Sequence, residues 1–184
     1  MMYGQIGRLY HDKGNVKDAL PLLQKNLQLR KKILDSRHPQ IAVAKSPLAA
    51  IMVDMGNYEE AFKLASESVA LRSEVLGEYH PYTAFSYDTV ALAELGRGNV
   101  DAAEDAANIS LSIREDALGP LHPRCAVAHM TLAKVKSAQG RMEEAIGEAE
   151  NAVRINDLKL RGGHPHRKRA EDLLLLLQSK SRKE

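Results

Sequence analysis

Small and apolar residues along the chain recur at intervals of three and four. Ala61 and Ala65 share one helix face, as do Ala103, Ala107 and Ser110. No stretch sustains an alternation of apolar and polar residues at a period of two, so strands are not expected. Small residues on a helix face let a neighbouring helix approach closely. The pattern predicts an all-α chain of closely packed helices.

Self-similarity organises these helices. The dipeptide His-Pro occurs at His38-Pro39, His80-Pro81, His122-Pro123 and His164-Pro165, 42 residues apart each time. Gly14, Gly56, Gly98 and Gly140 keep the same interval, as do Ala19, Ala61, Ala103 and Ala145. Arg30, Arg72 and Arg114 continue it, and Asn156 breaks it. A fixed period of this length marks a repeat architecture.

Each unit has a physical reading. Proline after histidine suits the first turn of a helix, where its missing N–H leaves no bond unmade. The glycine further on suits a left-handed C-terminal cap. Asn15, Asn57 and Asn99 then suit the N-cap of a second helix. Acids in its first turn (Asp18, Glu59 and Glu60, Asp101, Glu143 and Glu144) complement the helix dipole. Leu76-Gly77 and Leu118-Gly119 close it. A unit is thus a helix, a tight turn, a longer helix and a loop. One such pair cannot bury its apolar face, so the units must stack. The expected fold is a right-handed α-solenoid of antiparallel helix pairs, about nine helices in all. Its divisions are 1–37, with a truncated first helix, then 38–79, 80–121 and 122–163, and a closing helix over 164–184. The short first helix implies a truncated first repeat or a piece of a longer protein.

Composition narrows the function. Of 184 residues, 44% are hydrophobic, too many for a disordered chain. A net charge of +2 does not suggest a nucleic-acid binder. Aromatics are 4% with no Trp, which leaves no stacking platform for single strands. A lone cysteine, Cys125, rules out a disulfide framework and a cysteine-based zinc site. It points to a reducing, cytoplasmic setting. The longest leucine run, Leu173 to Leu177, is far too short to span a membrane. The first residues hold no apolar stretch resembling a signal peptide.

The residues LYHDKGNVKDALPLLQKNLQLRKKIL (9–34), HPQIA (38–42), MGNYEEAFKLASESVALRSEVLGEYHPYTA (55–84), GNVDAAEDAANISLSIREDALGPLHPRCA (98–126) and QGRMEEAIGEAENAVRI (139–155) resemble the tetratricopeptide repeat in its 42-residue form, best known from kinesin light chains. The likeness covers nearly the whole chain and implies a superhelix that holds a partner protein. The family often places an Asn pair midway along each first helix to bind peptide backbone. Here the matching pairs are Gly4 and Gln5, Ser46 and Pro47, Asp88 and Thr89, Met130 and Thr131, and no Asn is left. The heptad segment of a kinesin light chain is absent as well.

The first helix of each unit should line the concave wall. By register the wall includes Gly4, Ser46, Asp88 and Met130; Arg8, Ala50, Leu92 and Lys134; His11, Val53, Leu95 and Ser137; and Val43, Phe85 and Val127. Its centre is apolar, with Arg8 and Lys134 toward the ends. The residues expected to bind a partner are Arg8, Ser46, Ala50, Val53, Phe85, Asp88, Leu92, Leu95, Met130 and Lys134. Pro47, eight residues into its helix, should kink or break it. The four histidines lie one repeat apart and cannot converge on a metal. Cys125 reads as a small residue filling the Ile41 and Thr83 position. Leu173, Leu175 and Leu176 lie in a leucine run too broad to face one neighbour, which suggests self-association. The tail from 161 to 184 carries seven Lys or Arg against three acids and reads as a solvated end.

No Walker loop, nucleophile elbow, zinc-protease helix or dinucleotide fingerprint is present. Three readings follow. The first is a non-enzymatic scaffold that holds a peptide or helix in its groove, without cofactor or metal. The second is an assembly module that joins copies through the closing helix. The third, an enzyme, has no motif to support it.

Overall fold

The computed structural model describes residues 2–160 and 164–182. The segment 161–163 and the last two residues of the basic tail lie outside the described residues. Nine helices follow one another among the described residues. They are α1 (Met2–Asp12), α2 (Val16–Ile33), α3 (Pro39–Asp54), α4 (Tyr58–Leu76), α5 (Pro81–Arg97), α6 (Val100–Leu118), α7 (Pro123–Ala138), α8 (Met142–Lys159) and α9 (Pro165–Ser181). The expected α-solenoid of antiparallel helix pairs is the observed architecture.

The boundaries follow from local chemistry. His38, His80, His122 and His164 are the N-caps of α3, α5, α7 and α9. In each, Nδ1 accepts a backbone N–H two residues on, from Gln40, Tyr82, Arg124 and His166, at 3.1–3.2 Å. Imidazole here does the work usually given to Asn or Ser, satisfying one of the first-turn donors that lack a helical partner. The proline that follows has no N–H to satisfy. Gly14, Gly56, Gly98 and Gly140 turn each pair with φ between 74° and 85°, a left-handed geometry that glycine adopts without strain. Asn15 and Asn57 cap their helices by accepting from Asp18 and Glu60. Asn99 does not: its amide instead donates to the Glu94 carboxylate at 2.7 Å.

Alanine columns at the repeat period hold the stack. Ala19, Ala61, Ala103 and Ala145 are fully buried on the second helices. Ala49, Ala91 and Ala133 face them from the first helices, also fully buried. Every helix packs on the next along the chain. First helices also touch one another, α1 with α3, α3 with α5, α5 with α7 and α7 with α9. Among the described residues no two second helices are in contact. The stack therefore curves, with first helices on the inside and second helices splayed outside. The curve brings its ends together: Arg169 of α9 donates to the carbonyl of Asp12 in α1 at 2.9 Å.

Two expectations are corrected. α3 is not broken at Pro47 but continues to Asp54. The carbonyl that Pro47 leaves without a donor belongs to Val43, which is exposed on the open inner face where water can bond it. Leu173 is no self-association residue. It is buried with Leu177 against Ala133, Ala145 and Ala149. Leu175 and Leu176 are the exposed members of the run, at 64% and 52%. Leu175 occupies the column of Ala49, Ala91 and Ala133, and no second helix covers it among the described residues.

The histidine caps give a direct test. His80→Ala should lower unfolding free energy by about 1 kcal/mol, whereas His80→Asn should retain most of the wild-type value. Urea denaturation of the two variants measures the difference.

Candidate partner-binding groove

The inner wall is built from α1, α3, α5, α7 and α9. Phe85 projects from it at 41% exposure, and Val43 is exposed beside it. Ala50, Leu92 and Leu95 are half-buried along the same wall. Val53 is half-buried too, but packs against the cluster centred on α2, α3 and α4. Met130 is drawn further in, wedged between the apolar clusters that α7 makes with α8 and α9. Arg124 stacks its guanidinium over the Tyr82 ring at 5.3 Å.

The charged positions divide. Arg8 and Lys134 are exposed. Lys134 remains open to solvent yet is enclosed by the curve of the array. The loss of surrounding water lowers the pKa of its ammonium; nearby Asp54 opposes this and Arg169 adds to it. His11 joins Asp54 at 2.6 Å and ties α1 to α3. A polar rim of Asp12, Asp54, Lys134 and Arg169 thus forms where the two ends of the array meet.

Ser46 and Asp88 are not groove residues. Both are buried, at 1% and 5% exposure. Ser46 shares hydrogen bonds with Ser68 at 2.8 Å and Ser86 at 3.4 Å. Asp88 receives Ser110 Oγ at 2.6 Å and both terminal nitrogens of Arg114, one at 3.1 Å. The position they share points from the first helix toward its own second helix. Repeat register alone does not distinguish that direction from the open side.

A set of interior residues went unassigned at the level of sequence. Arg30 donates to the carbonyl of Gln40 at 2.7 Å, Arg72 to the carbonyl of Tyr82, and Asn156 to the carbonyl of His166 at 3.2 Å. Each brackets a second helix to the first turn of the next unit. Arg114, the remaining member, turns to Asp88 instead. The signal was the period of Arg30, Arg72 and Arg114, which carried no role without the fold. Arg72 is enclosed without a carboxylate, and desolvation pushes its pKa down to about 10. Its Nε has no hydrogen-bond partner.

Cys125 is buried, and burial raises its thiol pKa. Sγ donates to the Gly119 carbonyl at 3.4 Å, as Thr83 Oγ1 donates to the Gly77 carbonyl at 3.1 Å. It acts as a spacer, not as a nucleophile. Among the described residues, no helix is long and apolar enough to cross a membrane.

A curved stack of helix pairs with capped first helices and an open inner wall defines a class of repeat proteins. A tetratricopeptide repeat model matches residues 40–116 and 90–157, and a second matches residues 1–40. The chain belongs to the tetratricopeptide repeat family. It is of the kinesin light chain-like type. The nearly identical, kinesin light chain-like TPR repeats of a protein from Podosopora anserina superpose at a TM-score of 0.70 and 26% identity, covering 100% of this chain and 87% of that one. BtubC (BKLC) from P. vanneervenii superposes at 0.71 with 17% identity, over 95% and 70% of the two chains. Apo RapI superposes at 0.69 with 13% identity, over 99% and 64%. These last two likenesses concern the fold alone. No curated protein matches the sequence.

The buried ion pair yields a prediction. Asp88→Ala strands Arg114 in the interior and should cost about 3–5 kcal/mol. Guanidinium denaturation of the variant beside the wild type reads the loss.

Proposed function

We propose that the array is a non-enzymatic scaffold that holds a peptide or amphipathic helix of a partner protein on its concave wall. The observation that carries this reading is the apolar inner face. Phe85 is 41% exposed there, and Leu92 and Leu95 are only half-buried. Apolar side chains gathered on one concave surface favour a partner that buries them. Ala50 keeps the wall flat enough for a backbone to approach. Val53 and Met130 support the wall from behind. Arg8 and Lys134 flank the apolar centre and orient the partner by its charge. The family supports an interaction role, and the kinesin light chain-like type supports a protein partner. The proposed setting is the cytoplasm, with no nucleic acid, membrane or cofactor involved.

A second reading rests on α9. Leu175 and Leu176 stay exposed on a helix whose outer face is uncovered, which favours a dimer of this chain joined there. Light scattering at two concentrations separates it from the first, because a strict monomer excludes it.

Leu92→Glu should weaken partner capture at least about tenfold while leaving the melting temperature near wild type. Pull-down from the native source, with calorimetry on the same variant, checks this. A matching loss of stability would place Leu92 in the core instead.

A further inference from the structure

One helix end in the array is capped from the far end of the chain. The last carbonyls of an α-helix have no partner within it and carry the negative end of its dipole. After α1 the turn donors serve other carbonyls: the N–H of Lys13 bonds Leu9, that of Gly14 bonds His11 and that of Asn15 bonds Tyr10. The carbonyl of Asp12 is left over. Arg169, 157 residues away, donates to it at 2.9 Å. A guanidinium at this point satisfies the orphan oxygen and complements the dipole at once.

Arg169 belongs to the inner wall. It stands in the column of Val43, Phe85 and Val127, which have no group able to make such a bond. From α9 its side chain crosses the groove. Among the described residues the backbones of α1 and α9 do not pack on each other, so the bond bridges a gap. Arg169 is exposed, and one exposed hydrogen bond contributes little net free energy. The bridge is therefore easily released.

Two neighbours report that the gap is narrow. Lys134 is open to solvent, yet enclosure is the first cause of its lowered pKa. His166, one turn before Arg169, has its pKa lowered by desolvation, then by Arg169 and His164, while Asp12 opposes them. The first turn of α9 thus lies within electrostatic reach of the end of α1. His11, beside Asp12, is in turn held by Asp54 of α3 at 2.6 Å.

We propose that Arg169 is a latch across the groove: bonded to Asp12 it closes the gap between α1 and α9, and released it opens the hollow around Lys134 to large molecules from the side. Closed, the gap passes only small molecules. A partner segment reaches the wall sideways when the latch is open; this part rests on the proposed function. The latch itself does not.

The test uses the full chain in a Cys125→Ser background, where a hydroxyl keeps the donor to Gly119. Spin labels on Lys17→Cys and Asp172→Cys, both at exposed positions, give the distance between the two ends by pulsed electron paramagnetic resonance. Arg169→Ala should lengthen and broaden that distance. Arg169→Glu, which brings a carboxylate toward Asp12, should lengthen it further. Arg167→Ala removes only pairs to Asp157 and Glu171 and should leave it unchanged. Access is read separately, without spin labels, from Lys134→Cys. Its rate with a polyethylene glycol maleimide is divided by its rate with N-ethylmaleimide, which cancels changes in thiol reactivity. Arg169→Ala should raise this ratio about tenfold, as for a wild type whose open form is roughly 10% populated. An unchanged distance or an unchanged ratio in Arg169→Ala, or equal changes in Arg167→Ala, would overturn the latch. Partner association should quicken in Arg169→Ala. If the ratio rises and association does not quicken, the partner does not enter by this gap. Leu92→Glu tests the wall itself, so the latch and the groove reading fail separately.

Discussion

Close approach of helices through alanine governs this structure. A first helix must pack on its own second helix, on the second helix before it, and on the first helices either side. Four neighbours cannot crowd around long side chains at helix-packing distances. Alanine at the repeat period, with Gly7 in its place on α1, removes the obstacle on both helices of each pair. Because first helices touch and second helices do not, the stack bends. The bend turns an ordinary row of helical hairpins into a wall with an inside. Enough curvature accumulates over the described residues for Arg169 to reach Asp12.

Polar chemistry works within that frame and in two directions. At the surface, histidine and asparagine caps fix where each helix starts. In the interior, Arg30, Arg72 and Asn156 bond the first-turn carbonyls of the following unit, so the stacking contact is directional as well as apolar. Enclosed arginine carries a desolvation penalty that the first three units meet by their own means, with neutral acceptors, a serine cluster or a carboxylate, while the fourth has Asn156 in its place. Variation at one interior position therefore makes the units chemically unequal while the backbone stays nearly periodic.

Much of this was legible in the residues. The His-Pro steps, the turn glycines and the alanine columns each demand a particular backbone or packing, so their period reported the helices and their pairing. Facing direction was harder to read. Ser46 and Asp88 share a register position with groove candidates a turn away, and only the placement of α4 and α6 shows that they point inward. Leu173 belongs to a run of five leucines whose sequence does not say which of them meets α8. Asn99 has the right residue for a cap, but a neighbouring carboxylate, Glu94, offers its amide a stronger partner. Pro47 broke a helix rule without breaking the helix, because its orphaned carbonyl lies on the open side.

The account stands or falls on which side of the curve meets the partner. Photo-crosslinking settles this, with one light-activated residue placed at Phe85 on the inner wall and, separately, at Ile109, which is exposed on α6. The account predicts a crosslinked partner from the Phe85 position and none from Ile109. Crosslinking from Ile109 alone would contradict it.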